Sequence, residues 1–155
     1  MHILMCNDDG ILADGLRRLA SYLSQYYRIT VVAPANEQSA KSHALTTEVP
    51  LKLDACNGED ENPRLYALTG TPSDCMKFGL SYLLADDMPD LVISGINHGF
   101  NLGSDVLYSG TVSAAMESGF YGIPGLALSV ERYSVELGDE MHPFIHELIE
   151  KIYVA

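Results

Sequence analysis

The chain has 155 residues, 47% of them hydrophobic, and carries 21 acidic against 9 basic side chains for a formal net charge of -12. This is the length of one ordinary domain with enough apolar material for a core, and the charge excludes wrapping of extended nucleic acid, which needs clustered Lys and Arg. Cys6, Cys56 and Cys75 have no CxxC spacing and suggest neither a disulfide framework nor a zinc knuckle, no stretch is apolar for long enough to cross a bilayer, and no basic leader follows Met1; a soluble, unprocessed, cytoplasmic chain is expected.

In chain order, His2 to Cys6 (HILMC) reads as a buried strand broken by NDDG, after which Leu16, Leu19, Ala20 and Leu23 repeat at helical spacing. Arg28 to Ala33 (RITVVA) is a β-branched strand ending at Pro34, so the first three elements form a βαβ unit with parallel strands. Asn36 to Thr47 is polar and aperiodic, and VPLKLDA and RLYALTG behind it read as short strands or an antiparallel hairpin. Thr71 and Pro72 supply the N-cap and first turn of a second helix through Cys75, Met76 and Phe78. Pro89 to Ile96 (PDLVISGI) is a further buried strand, followed by the loop NHGFNLGSDVLYSG and the small-residue helix TVSAAMESGFYG. Ile123 to Val130 adds a strand and His142 to Val154 an amphipathic helix. The order predicts a single α/β domain, Rossmann-like and three-layered, with a mostly parallel sheet and an additional β-hairpin; ligands then bind outside the carboxyl ends of the strands.

The residues at those ends are rich in oxygen. Asp8 and Asp9 follow the first strand, and a turn at Gly10 can bring both carboxylates to one point, where a divalent cation removes their repulsion. With the Ser39 hydroxyl and the Asn97 amide oxygen they make a hard donor set suited to Mg2+ or Mn2+ rather than zinc, although Asp-Gly is also ordinary turn chemistry. Ser109, Gly110 and Thr111 of YSGT stand at a helix start, where backbone N–H groups and the dipole favour an anion, or where Ser109 or Thr111 simply caps the helix. Asn97 and Asn101, in a glycine-rich loop, suit either a turn or a ligand contact. His142 and His146 lack the glutamate of HExxH and are expected on a solvated helix face, while Lys41 and His43 belong to the polar loop after the second strand. No GxxxxGK[ST] or GxGxxG occurs, so ATP or NAD binding has no motif.

Five blocks in order, NDDGILADGLRRL, VVAPANEQSAKSHALT, GTPSDCMKFG, PDLVISGINHGFNLGSDVLYSGTVSAAMES and GIPGLALS, resemble the SurE survival-protein family of nucleotidases over Met1 to Val130. The resemblance implies a metal-dependent phosphatase of nucleoside 5'- and 3'-monophosphates, in some members also of short polyphosphate, located in the cytoplasm. It implies one divalent cation per subunit on Asp8, Asp9, Ser39 and Asn97, and a phosphate surrounded by Asn101, Ser109, Gly110 and Thr111, with Asp8, Asn101 and Ser109 in catalytic roles. It implies a homodimer or homotetramer with nucleoside monophosphates as small-molecule partners, and neither extended nucleic acid nor a membrane. Two departures stand out: Ala40 where the family usually has glycine, and an end at Ala155 where relatives continue into an arm that exchanges between subunits.

Rival readings differ in class. A receiver domain also carries an acidic pair after its first strand, but here Asn97 stands where its phosphoacceptor aspartate belongs, and Glu131 and Arg132 where its lysine belongs. A regulatory protein with a vestigial site would bind metal and nucleotide without turnover. A haloacid-dehalogenase-type phosphatase needs DxD spacing, whereas Asp8 and Asp9 are adjacent.

Overall fold

The computed structural model describes residues 1–154; Ala155 lies outside them. Strand β1 (His2–Cys6) forms the middle of a six-stranded sheet of order β3-β4-β2-β1-β5-β6. The other strands are β2 (Arg28–Pro34), β3 (Leu53–Ala55), β4 (Arg64–Leu68), β5 (Leu91–His98) and β6 (Gly125–Val130). All neighbouring pairs are parallel except β3 with β4. This antiparallel pair is the expected hairpin, and it edges an otherwise parallel α/β sheet.

The layers follow from the period of the strand. Ile3 and Met5 of β1 meet Leu16, Leu19 and Leu23 of α1 (Asp14–Leu23) and Ile145 and Ile149 of α4 (Val135–Val154). Leu4 and Cys6, pointing the other way, meet Met76 of α2 (Pro72–Phe78) and Ala114 of α3 (Gly110–Gly119). Alternating residues of one strand therefore serve two cores, and β1, covered on both sides, is buried along its whole length.

α2 begins as expected, with Thr71 as N-cap; its hydroxyl accepts from Asp74 N at 3.1 Å, and the Asp74 carboxylate accepts from Thr71 N at 2.9 Å. It runs into a π-helical turn over Gly79–Leu83. α4 differs from expectation: it starts at Val135, seven residues before His142, because Ser134 caps it by accepting from Leu137 N at 3.2 Å, and Pro143 is carried inside the helix. His142 and His146 do not lie on a solvated face. His142 is 4% exposed with its ring 5.1 Å from that of Tyr22, in the seam between α1 and α4, and the His146 ring stacks 5.4 Å from that of Tyr27, against the turn between α1 and β2.

The chain passes from β1 outward through β2 and β4, then returns to place β5 on the other side of β1. The carboxyl ends of β1 and β5 thus flank the topological switch point, where open α/β sheets form their crevice.

Candidate active site

The turn after β1 is built by Asn7, whose side chain closes a ring with the backbone of Gly10: Gly10 N donates to Oδ1 at 3.1 Å, and Nδ2 donates to Gly10 O at 3.0 Å. Gly10 has φ of 100°, a left-handed conformation that explains the glycine. The turn leaves Asp8 and Asp9 at the strand end. Asp8 is 5% exposed, and its Oδ1 accepts from the fully buried Thr111 hydroxyl at 2.8 Å. α3 reaches this close because Gly110 has no side chain; a Cβ there would lie 3.0 Å from Asp8 Cβ.

Asp8, Asp9, Ser39, Asn97, Asn101 and Ser109 line one cleft of about 560 Å³ together with Glu37, His98, Phe100, Asp105 and Tyr108. The two strand ends and two separate loops thereby converge. A register shift in the β5–β6 pairing falls between Ser94 and Asn97, inside β5, and the pairing resumes at Asn97 and His98. The Asn97 Nδ2 donates to Gly99 O at 2.8 Å, which leaves Oδ1 as the ligand-capable atom. Asn101 Nδ2 donates to Ser129 Oγ at 2.6 Å.

The YSGT segment splits its work. Ser109 caps α3 by accepting from Val112 N at 3.1 Å and still lines the cleft, whereas Gly110 and Thr111 are buried behind it. The Thr111 hydroxyl is taken by Asp8, so a carboxylate already stands at the positive end of α3.

The loop carrying Ser39 has no regular structure, yet is pinned along its length. Gln38 N donates to Asp8 O at 2.8 Å, Ser42 Oγ donates to Leu107 O at 2.7 Å, and Thr46 Oγ1 donates to the Asp74 carboxylate at 2.7 Å. His43 turns away from the cleft and donates from Nε2 to the buried Glu117 at 2.6 Å. Ser39 itself is exposed and donates its hydroxyl to Glu37 at 2.6 Å.

Burial pushes the Asp8 carboxyl above the ordinary range, opposed by the Thr111 hydrogen bond. Burial also raises Asp9, and repulsion from Asp8 and Glu37 adds to it. Four carboxylates lining one cleft, Asp8, Asp9, Glu37 and Asp105, are a poor place for an unassisted anion and a good one for a cation. Among the described residues no three His, Cys, Asp or Glu side chains form a metal cluster by themselves. A cation here would rely on Ser39 and Asn97 oxygens beside Asp8 and Asp9, an all-oxygen set of the kind magnesium and manganese take.

Sequence reasoning missed Glu37, Phe100, Asp105 and Tyr108. Glu37 lies two residues before Ser39, and the other three sit in the same glycine-rich loop as Asn101, so proximity to the named residues was the available signal.

These features define a class: a doubly wound α/β domain with an acidic, oxygen-lined cleft at the switch point of its sheet. The sequence model of the family described as survival protein SurE matches residues 3–155, and the chain belongs to that family. It is 50% identical over 153 residues to the 5'-nucleotidase SurE of Thermoanaerobacter sp. (strain X514), covering 98% of this chain and 60% of that protein. To the 5'-nucleotidase SurE of Vibrio vulnificus (strain YJ016) it is 50% identical over 130 residues, 84% of this chain and 49% of that one. The crystal structure of the SurE protein from Aquifex aeolicus superposes with a TM-score of 0.84 at 38% identity, over 98% of this chain and 60% of that one. The match therefore spans about half to 60% of the length of these relatives.

Proposed function

We propose that the chain carries the active site of a divalent-metal-dependent phosphomonoesterase that hydrolyses nucleoside 5'- and 3'-monophosphates to nucleoside and phosphate. The observation that carries this reading is the convergence of Asp8, Asp9, Ser39, Asn97, Asn101 and Ser109 on one cleft. The relatives named 5'-nucleotidase support the 5' activity; 3' activity and cleavage of short polyphosphate rest on the family resemblance, as does assembly into a homodimer or homotetramer.

Asp8, Asp9, Ser39 and Asn97 would hold one Mg2+ or Mn2+. Such an ion supplies Lewis-acid neutralisation of phosphate oxygens and a more acidic bound water. Asp8, fixed by Thr111, orients the attacking water or simply ligates. Asn101 and the N-terminus of α3 at Ser109 receive charge on the phosphoryl group as it transfers. None of the described helices is long and apolar enough to cross a membrane.

The test is release of inorganic phosphate from a panel of 5'- and 3'-nucleoside monophosphates, with EDTA and then with Mn2+ or Mg2+ restored. Metal-restored release is expected. Binding of nucleotide with no release under either metal would replace this reading with that of a regulatory protein carrying a vestigial site.

A further inference from the structure

The cleft has a second lining of different chemistry. The strand ends contribute carboxylates and amides, while the loop between β5 and α3 contributes two large aromatic rings, Phe100 at 52% and Tyr108 at 64% exposure. Leaving such rings in water forgoes their burial, so their place in an otherwise polar cleft calls for a flat apolar occupant. Neither ring stacks on another aromatic ring among the described residues.

Their backbones are anchored. Gly99 N, one residue before Phe100, donates to Val130 O at 2.7 Å, and Tyr108 O accepts from Ser42 N at 3.1 Å. Asn101, one residue after Phe100, is tied to Ser129. Tyr108 also directly precedes Ser109 at the N-terminus of α3, so an aromatic face begins one residue from the site proposed for phosphate. The cleft volume of about 560 Å³ falls within the roughly 300–1,000 Å³ usual for small-ligand pockets.

We propose that Phe100 and Tyr108 form the platform on which the nucleobase of the substrate stacks; this rests on the nucleotidase reading and extends it to how the substrate is chosen. Every base presents a π-face, so the platform separates nucleotides from sugar phosphates while discriminating little among bases.

The experiment compares kcat/KM for AMP, GMP, CMP and UMP with that for ribose 5-phosphate in the wild type, F100A, Y108A, the double variant and Y108F, alongside calorimetric binding of adenosine, which cannot be hydrolysed. The expected result is a fall in the preference for nucleotides over ribose 5-phosphate of about 5- to 100-fold in the double variant, expressed in KM, with Y108F keeping most of the preference. Adenosine binding should weaken in parallel. An undiminished preference together with unchanged adenosine binding overturns the platform while leaving the nucleotidase reading intact. Equal losses on nucleotides and ribose 5-phosphate, accompanied by a change of oligomeric state in sedimentation, also overturn it and assign the rings to a subunit contact. Adenosine binding that depends on both rings, in a protein that releases phosphate from no nucleotide, sustains the platform and sinks the nucleotidase reading instead.

Discussion

At the scale of single residues, the site depends on groups that never face the cleft. Thr111 is fully buried and spends its hydroxyl on Asp8. Valine is nearly isosteric, so Thr111→Val removes the bond without opening a cavity; on the proposed reading in which Asp8 ligates the metal, Mn2+ affinity, read by calorimetry, is expected to fall by about 10- to 100-fold, as when other partners that orient a metal ligand are removed. Unchanged affinity would show that Asp8 is oriented by something else. Ala40 offers a second case. It adopts φ of 55°, the left-handed region in which a Cβ is unfavourable and which glycine enters freely. Relief of about 1–2 kcal/mol of strain in Ala40→Gly, set against about 0.5–1 kcal/mol of added backbone entropy, leaves a gain of about 0–1.5 kcal/mol. A small rise in the urea midpoint is the expected reading, and a fall would mean that the loop depends on the alanine methyl.

At the scale of elements, the legible parts were those whose partners are implied by a local period. HILMC and RITVVA read as buried strands because a parallel strand covered on both faces is a continuous apolar run, and Thr71-Pro72 read as a helix start because capping is a local contact. The first half of α4 was not legible, since Gly138 and the internal Pro143 hide a helix that Ser134 starts and α1 stabilises by packing. The loop of residues 36–47 has no period at all; its path is fixed by bonds to distant carboxylates and carbonyls, which spacing cannot reveal. Asp74 is the sharpest of these. Its buried carboxylate accepts from Thr71 N, Thr71 Oγ1 and Thr46 Oγ1 at 2.9, 3.1 and 2.7 Å, joining the α2 cap to the loop that carries Ser39. Asp74→Ala leaves Thr71 N and the Thr46 hydroxyl without this acceptor, while the Thr71 hydroxyl keeps Ala44 O at 2.7 Å, and should cost about 3 kcal/mol in urea unfolding. It should also speed tryptic cleavage after the exposed Lys41 well below the unfolding midpoint. Loss of stability without faster cleavage would confine Asp74 to the helix cap.

At the scale of the whole molecule, the two helix layers close over histidines that the sequence does not mark as buried. His2, at the amino end of the central strand, donates or accepts through Nε2 with Thr30 Oγ1 at 2.9 Å and is faced by Arg28, Arg64 and Asp87. His142, in the seam between α1 and α4, is faced by Asp139 and Arg18. Burial is the leading cause that lowers both from 6.5; Arg28 and Arg64 add to it at His2 and Arg18 at His142, while Asp87 and Asp139 oppose it. A lowered histidine is neutral in the fold at a pH where the unfolded chain already binds a proton. Its stabilising effect is therefore complete above about pH 6.5 and is lost progressively as the pH falls toward the folded-state value. Asp8 and Asp9 act in the opposite sense in metal-free protein: their raised values make the fold bind protons before the unfolded chain does, so acidification relieves them. The two effects overlap in weak acid, and a single stability curve cannot separate them. Comparison with His2→Gln/His142→Gln can, because the carboxylates are common to both proteins and only the histidine contribution differs. In EDTA, the gap in urea midpoint between wild type and the double variant is expected to narrow as the pH is lowered from 7 to 5. A gap that stays constant would mean that both rings titrate in the folded protein as they do in water, and that the seam between α1 and α4 admits a charge without loss.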